Sequence, residues 1–123
     1  MPRLKEPLPD AELQLLKALW AVASATAREL AIAVYREGDA TAMGTVQKLL
    51  QRLEKKGCVR RDRSEFVHRF SAKVTREEVA GWHLDSAVGK VADGSLAPFI
   101  THLVQAKRLS EQEKAEIRRL LDQ

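Results

Sequence analysis

Three short motifs divide this chain into helices and constrain its fold more than any other feature. In each, a threonine or serine is followed three residues later by a glutamate: Thr26–Glu29, Thr75–Glu78 and Ser110–Glu113. In such a capping box the two side chains accept hydrogen bonds from each other's backbone N–H, which marks the start of a helix. New helices are therefore predicted to start at about residues 27, 76 and 111, so the chain cannot form one long helix.

Apolar periodicity predicts the other helices. Residues 10–22 and 42–56 have apolar side chains three and four positions apart, the spacing of one helix face. Asp10 and Thr41 are the predicted N-caps of these first and third helices, and Ser95 is that of a fifth helix. With the three capping boxes, this gives six short helices.

A β-hairpin is predicted between the third and fourth helices. Residues 58–62 and 66–71 have the alternating pattern of strands, and residues 63–65 join them. The predicted fold class is therefore mainly α with a small β-hairpin. Three helices followed by a hairpin have the order of a winged helix-turn-helix, and three more helices follow it.

This order predicts three parts: a flexible leader at residues 1–9, a winged helix-turn-helix at 10–73 and a helical dimerisation domain at 74–123. The C-terminal helices are short and have wide apolar faces, which helices of this length cannot cover by themselves. These faces must pack on the winged helix or on a second copy of the chain, and we expect the second arrangement, a homodimer. The predicted dimerisation residues are Trp82, Leu84, Val88, Val91, Leu96, Phe99, Ile100, Leu103, Ile117, Leu120 and Leu121.

Positive charge is concentrated in one part of the chain. The net charge is +4, and residues 48–63 contain seven basic residues and only two acidic ones. Such a surplus attracts a polyanion. Charge alone does not distinguish nucleic acid from an acidic protein or an anionic membrane surface.

The third predicted helix is the candidate DNA-binding element. In a helix-turn-helix, the second helix of the pair enters the major groove, and glutamine and lysine side chains there bind base edges. Basic residues near the hairpin would contact phosphates. The candidate DNA-binding residues are Met43, Gly44, Thr45, Gln47, Lys48, Gln51, Arg52, Lys55, Arg60, Arg61 and Arg63.

Two other interpretations of this basic surface remain open. In the first, the basic surface is only a solvated helix face. In the second, the winged helix is a protein–protein interaction module that binds an acidic partner. Operator binding that survives excess competitor DNA would favour the DNA-binding interpretation.

The sequence gives no support to an enzyme, a metal site or a membrane span. The histidines, His68, His83 and His102, lack the spacing of metal ligands, and the single cysteine, Cys58, is expected to be a small buried apolar residue. No phosphate-binding loop, nucleophile motif, secretory signal or apolar run of about 20 residues is present. We therefore expect a cytoplasmic protein without a cofactor or membrane insertion.

Four segments resemble the BlaI/MecI/CopY family of bacterial repressors. They are residues 8–20, residues 45–57 with their Arg-Leu-x-x-Lys-Gly ending, and the helix starts at 74–78 and 109–113. The resemblance runs from Leu8 to Leu121. It implies a homodimer that binds a palindromic operator and represses genes for a β-lactamase or a stress response. It also implies a membrane-bound protease receptor, which releases the DNA by cleaving the C-terminal domain.

The chain departs from the family pattern at four points. His102–Leu103 stand where the family often has a cleaved Asn-Phe pair, and no cysteine follows Cys58, unlike the copper-responsive branch. Phe66 stands where the family has a small basic wing residue, although Arg63 is nearby. Lys48 stands where the family often has threonine. These departures argue against family-type cleavage and a cysteine-based metal switch, and they predict a different operator.

Overall fold

The computed structural model describes residues 6–123, which form six α-helices and one three-stranded antiparallel sheet. The helices are α1 (Asp10–Trp20), α2 (Ala27–Tyr35), α3 (Ala40–Lys55), α4 (Arg76–Val91), α5 (Ala97–Gln105) and α6 (Glu111–Leu121). The strands are β1 (Ala25–Thr26), β2 (Val59–Asp62) and β3 (Arg69–Ala72). The predicted fold class, mainly α with a small hairpin, is confirmed. Among the described residues, no helix is long and apolar enough to span a membrane.

All three predicted capping boxes are present. In the first, Thr26 Oγ1 accepts a hydrogen bond from the Glu29 N–H at 3.1 Å, and Glu29 Oε1 accepts one from the Thr26 N–H at 2.8 Å. Thr75–Glu78 and Ser110–Glu113 are paired in the same way. The start of each of these helices is therefore fixed by local chemistry.

Three other predicted N-caps are wrong. The N-cap of α1 is Pro9, so Asp10 lies in the first turn. There its negative charge interacts favourably with the positive end of the helix dipole. The N-cap of α3 is Asp39 instead of Thr41, and its Oδ1 accepts a hydrogen bond from the Ala42 N–H at 2.8 Å. Ser95 precedes the N-cap of α5 by one position.

The hairpin contains a longer loop than predicted. β3 pairs with β2 and also with β1, which the sequence did not reveal because it is only two residues long. The second strand was predicted to start at residue 66, but β3 starts at Arg69. The Ser64 N–H donates to Asp62 Oδ1 at 2.9 Å, which turns the chain immediately after β2. We call residues 63–68 the wing loop.

The chain divides into two compact units, Met1–His83 and Leu84–Gln123. In the first unit, α1, α2, α3 and the sheet enclose the hydrophobic core. Leu8 is also buried, and its N–H donates to His83 Nε2 at 3.1 Å, so the end of the predicted leader is anchored. Trp82 packs against this core as well. The division lies within α4, later than the predicted domain boundary after residue 73.

One charged side chain is buried among the described residues of the first unit. Glu12 of α1 is only 2% exposed, and its Oε1 accepts a hydrogen bond from Lys56 Nζ at 2.6 Å. Lys56 directly follows α3, and its side chain is 43% exposed. The ion pair therefore connects α1 to the C-terminal end of α3.

The second unit has no buried residue. Its exposed large apolar residues are Leu84, Val91, Leu96, Ile100, Val104, Ile117, Leu120 and Leu121, with exposed fractions between 38% and 79%. Val88, Phe99 and Leu103 are half-buried. All three helices of this unit thus retain apolar surface that faces solvent in a single chain.

Candidate nucleic-acid interface

A groove of about 660 Å³ lies between the start of α2, the outer face of α3 and the hairpin. Several predicted DNA-binding residues meet in it: Met43, Gly44, Gln47, Lys48, Gln51 and Arg61. The groove is therefore the place where the structure brings the sequence-predicted residues together.

The helical period of α3 determines which side chains reach this groove. Val46, Leu49, Leu50 and Leu53 are buried in the core. Because these residues occupy one stripe of the helix, the intervening polar residues lie on the opposite face. The outer face of α3 is therefore composed of hydrogen-bonding side chains.

The other predicted DNA-binding residues do not line the groove. They are Thr45, Arg52, Lys55, Arg60 and Arg63, and all of them are exposed. Thr45 Oγ1 donates a hydrogen bond to the Thr41 carbonyl at 3.2 Å. These side chains have space to contact a polyanion that extends beyond the groove.

Glu54 compensates part of the positive charge near the hairpin. Arg61 Nε lies 3.3 Å from Glu54 Oε1, and Arg63 Nη2 lies 3.1 Å from Glu54 Oε2. The Arg61 guanidinium also lies over the ring of Phe70, 4.8 Å from its centroid. These contacts fix the base of the hairpin against α3, and they leave fewer uncompensated cations than the sequence suggests.

Two carboxylates beside the groove are held in their charged form. The Ser64 backbone N–H lowers the pKa of Asp62 below its ordinary value. The Thr26 backbone N–H lowers the pKa of Glu29, with Arg69 contributing further. The turn after β2 and the start of α2 therefore keep their hydrogen bonds at neutral pH.

Sequence reasoning missed seven residues that line the groove: Thr26, Ala27, Arg28, Phe66, Val67, His68 and Phe70. Arg28 lies in the first turn of α2, and Phe66, Val67 and His68 belong to the wing loop. The capping box at Thr26 placed Arg28 at a helix start, but no local pattern indicates that this start faces α3. The wing-loop residues were assigned to a strand.

No group of three or more His, Cys, Asp or Glu side chains within residues 6–123 is arranged to hold a metal ion.

Three helices, a hairpin and an exposed polar face on the third helix define a winged helix-turn-helix protein. The model of the penicillinase repressor family matches residues 8–123, and the chain belongs to this family. It is 20% identical over 112 residues to the penicillinase repressor of Staphylococcus aureus, covering 91% of this chain and 88% of that protein.

Solved structures similar to the chain include the two that follow. The solution structure of the DNA-binding domain of the repressor BlaI aligns with a TM-score of 0.51 and 24% identity, over 63% of this chain and 93% of that domain. The crystal structure of the reduced form of MarR from E. coli aligns with a TM-score of 0.45 and 23% identity, over 94% of this chain and 76% of that one.

Family membership confirms the resemblance to the BlaI/MecI/CopY repressors. The chain is a DNA-binding transcriptional repressor and not an enzyme.

Proposed function

We propose that this chain represses transcription by binding a palindromic operator as a homodimer, with α3 in the major groove. The observation that carries the proposal is the groove, in which Gln47, Lys48 and Gln51 lie beside the hairpin. A glutamine side chain can bind adenine through two hydrogen bonds, and a lysine can reach guanine or a phosphate. The exposed basic residues around the groove would contact the DNA backbone on either side.

A second copy of the chain is the proposed partner of the second unit. Residues 84–123 expose apolar side chains on the end of α4, on α5 and on α6, and none of these residues is buried. An isologous interface would cover these faces in both copies at once. It would also link two winged helices, and such a link raises the effective concentration of the second half-site reader.

A titration with labelled DNA from upstream of the chain's own gene tests this function. It is done with excess competitor DNA over a series of salt concentrations. We expect a discrete complex with two chains per site that survives the competitor. Binding that disappears with competitor would reflect only general attraction to a polyanion. It would then favour the interaction module with an acidic partner.

Replacement of Gln47 with alanine should weaken operator binding about tenfold, because one base contact is lost. Gln14→Ala is the matched control, since Gln14 is exposed on α1 and does not line the groove. Both variants should keep the melting temperature of the parent chain. Equal operator affinity for the two variants would contradict the placement of Gln47 on DNA.

A substitution at Gly44 should change stability and DNA binding in opposite directions. A Cβ at this position would meet no atom within 4 Å, so packing within the chain does not require glycine here. Gly44→Ala should therefore raise the free energy of unfolding by about 1 kcal/mol, because alanine is the better helix former. We expect it to weaken operator binding, since the added methyl group would stand between α3 and the DNA.

Gly81→Ala is the control for this pair of effects. Gly81 also lies within a helix and has open space around its Cβ position, but it does not line the groove. The Gly81→Ala variant should be more stable than the parent chain and should bind the operator with the same affinity. The proposed approach of DNA to Gly44 is contradicted if Gly44→Ala binds the operator as tightly as the parent chain.

The cellular location and the receptor protease remain predictions from the resemblance. A bacterial repressor meets its operator in the cytoplasm, which is the location we propose. The receptor protease stays a prediction, and we do not propose that it cleaves at His102–Leu103. This peptide bond lies within α5, whereas proteolysis concentrates in exposed loops and termini.

A further inference from the structure

The wing loop carries two exposed apolar side chains next to each other. Phe66 is 100% exposed, and Val67 is 57% exposed. Isolated apolar residues on a surface are ordinary. This pair is different because both residues line the same groove as Gln47, Lys48 and Gln51 of α3. The apolar surface is therefore continuous with the proposed DNA-binding face.

The contacts of the hairpin hold the base of the wing loop. The Ser64 N–H is bonded to Asp62, and Arg63 is bonded to Glu54 of α3. A phenylalanine on such a loop gains about 2 kcal/mol if it becomes buried, yet Phe66 contributes nothing to the core. Its apolar surface is available to a partner that lies along the groove.

We propose that Phe66 acts as an apolar wedge that enters the minor groove beside α3 and partly unstacks one base step. This inference rests on the proposed operator binding. With α3 in the major groove, we place the wing loop over the neighbouring minor groove, which is about 6 Å wide. DNA-binding proteins use phenylalanine and other apolar side chains as wedges in that groove.

The wedge also predicts a sequence preference that involves no base-edge hydrogen bond. Unstacking costs least at pyrimidine–purine steps, such as TA and CA/TG, because these steps are the most deformable. We expect such a step in each half of the operator at the position under the wing loop. Replacement of this step by a stiff one should weaken binding of the parent chain and have little effect on Phe66→Ala.

The test uses the full-length chain and its operator fragment with 2-aminopurine placed at the pyrimidine–purine steps. The parent chain should raise the fluorescence at one step in each half-site, since unstacking relieves quenching. Phe66→Ala should abolish this increase and weaken binding about tenfold. Phe66→Leu should keep part of both effects. Tyr35→Ala is the aromatic control, because Tyr35 is exposed on α2 and does not line the groove.

The outcomes separate this inference from the proposed function. If the parent chain shows no specific binding, the proposed function fails before the wedge is tested, and the wedge fails with it. If the parent chain binds but Phe66→Ala has the same affinity and the same fluorescence increase, only the wedge is overturned. Loss of dimerisation in Phe66→Ala, measured by sedimentation, would also overturn it, because the wing loop would then contact protein instead of DNA.

Discussion

Replacement of Ile100 with aspartate is expected to convert the repressor into a monomer and to weaken operator binding by about a hundredfold. Ile100 is exposed on α5, and Leu96 and Val104 lie one turn away on either side of it. A carboxylate at this position would enter the proposed interface without a partner, which costs several kcal/mol. In an isologous dimer the cost arises twice.

Sedimentation equilibrium and operator titration measure the two effects on the same preparation. Thr101→Asp is the matched control, since Thr101 is an exposed polar residue of the same helix. It should leave the dimer intact. Thr101→Asp should retain the helical circular dichroism of the parent, whereas Ile100→Asp should lose the part contributed by the second unit, which has no buried residue in a single chain. A dimer of normal affinity in Ile100→Asp would place the interface elsewhere.

Replacement of Lys56 with methionine is expected to lower the free energy of unfolding by about 3 kcal/mol. The carboxylate of Glu12 would stay buried without the ammonium group that lies 2.6 Å from it. This value is at the lower end for a broken buried pair, because Lys56 is half-exposed and water can approach from its side. Chemical denaturation at a fixed protein concentration measures the loss.

A second substitution tests the cause of this destabilisation. If Glu12 is also replaced, giving Glu12→Leu with Lys56→Met, most of the stability should return, because no charge is left in the core. Lys48→Met is the control on the outer face of α3 and should change stability by less than about 0.5 kcal/mol. If Lys56→Met lowers the free energy of unfolding no more than this control does, then water, and not Lys56, compensates the charge of the Glu12 carboxylate.

Features that depend on neighbouring residues were predictable from the sequence. The three capping boxes placed the starts of α2, α4 and α6, because both partners of each hydrogen bond lie within four residues. The apolar stripe of α3 also predicted which of its residues point outwards, and several of them line the groove.

Features that depend on distant residues were not predictable. The pairing of Glu12 with Lys56 joins positions 44 residues apart, so no local pattern indicates that Glu12 is buried. β1 is recognisable only through its pairing with β3. Asp39 and Thr41 are both good caps, and only the fold decides between them. The groove residue Arg28 was missed for the same reason.

The absence of buried residues in the second unit has a consequence for the lifetime of the repressor in the cell. In the proposed dimer, a segment of 40 residues without a core would gain its stability from assembly, so folding and dimer formation would become one concentration-dependent step. Surplus single chains would offer exposed, loosely held helices to housekeeping proteases. Operator occupancy would then rise more steeply with the rate of protein synthesis than the dimerisation equilibrium alone predicts. The reason is that single chains are degraded before they accumulate.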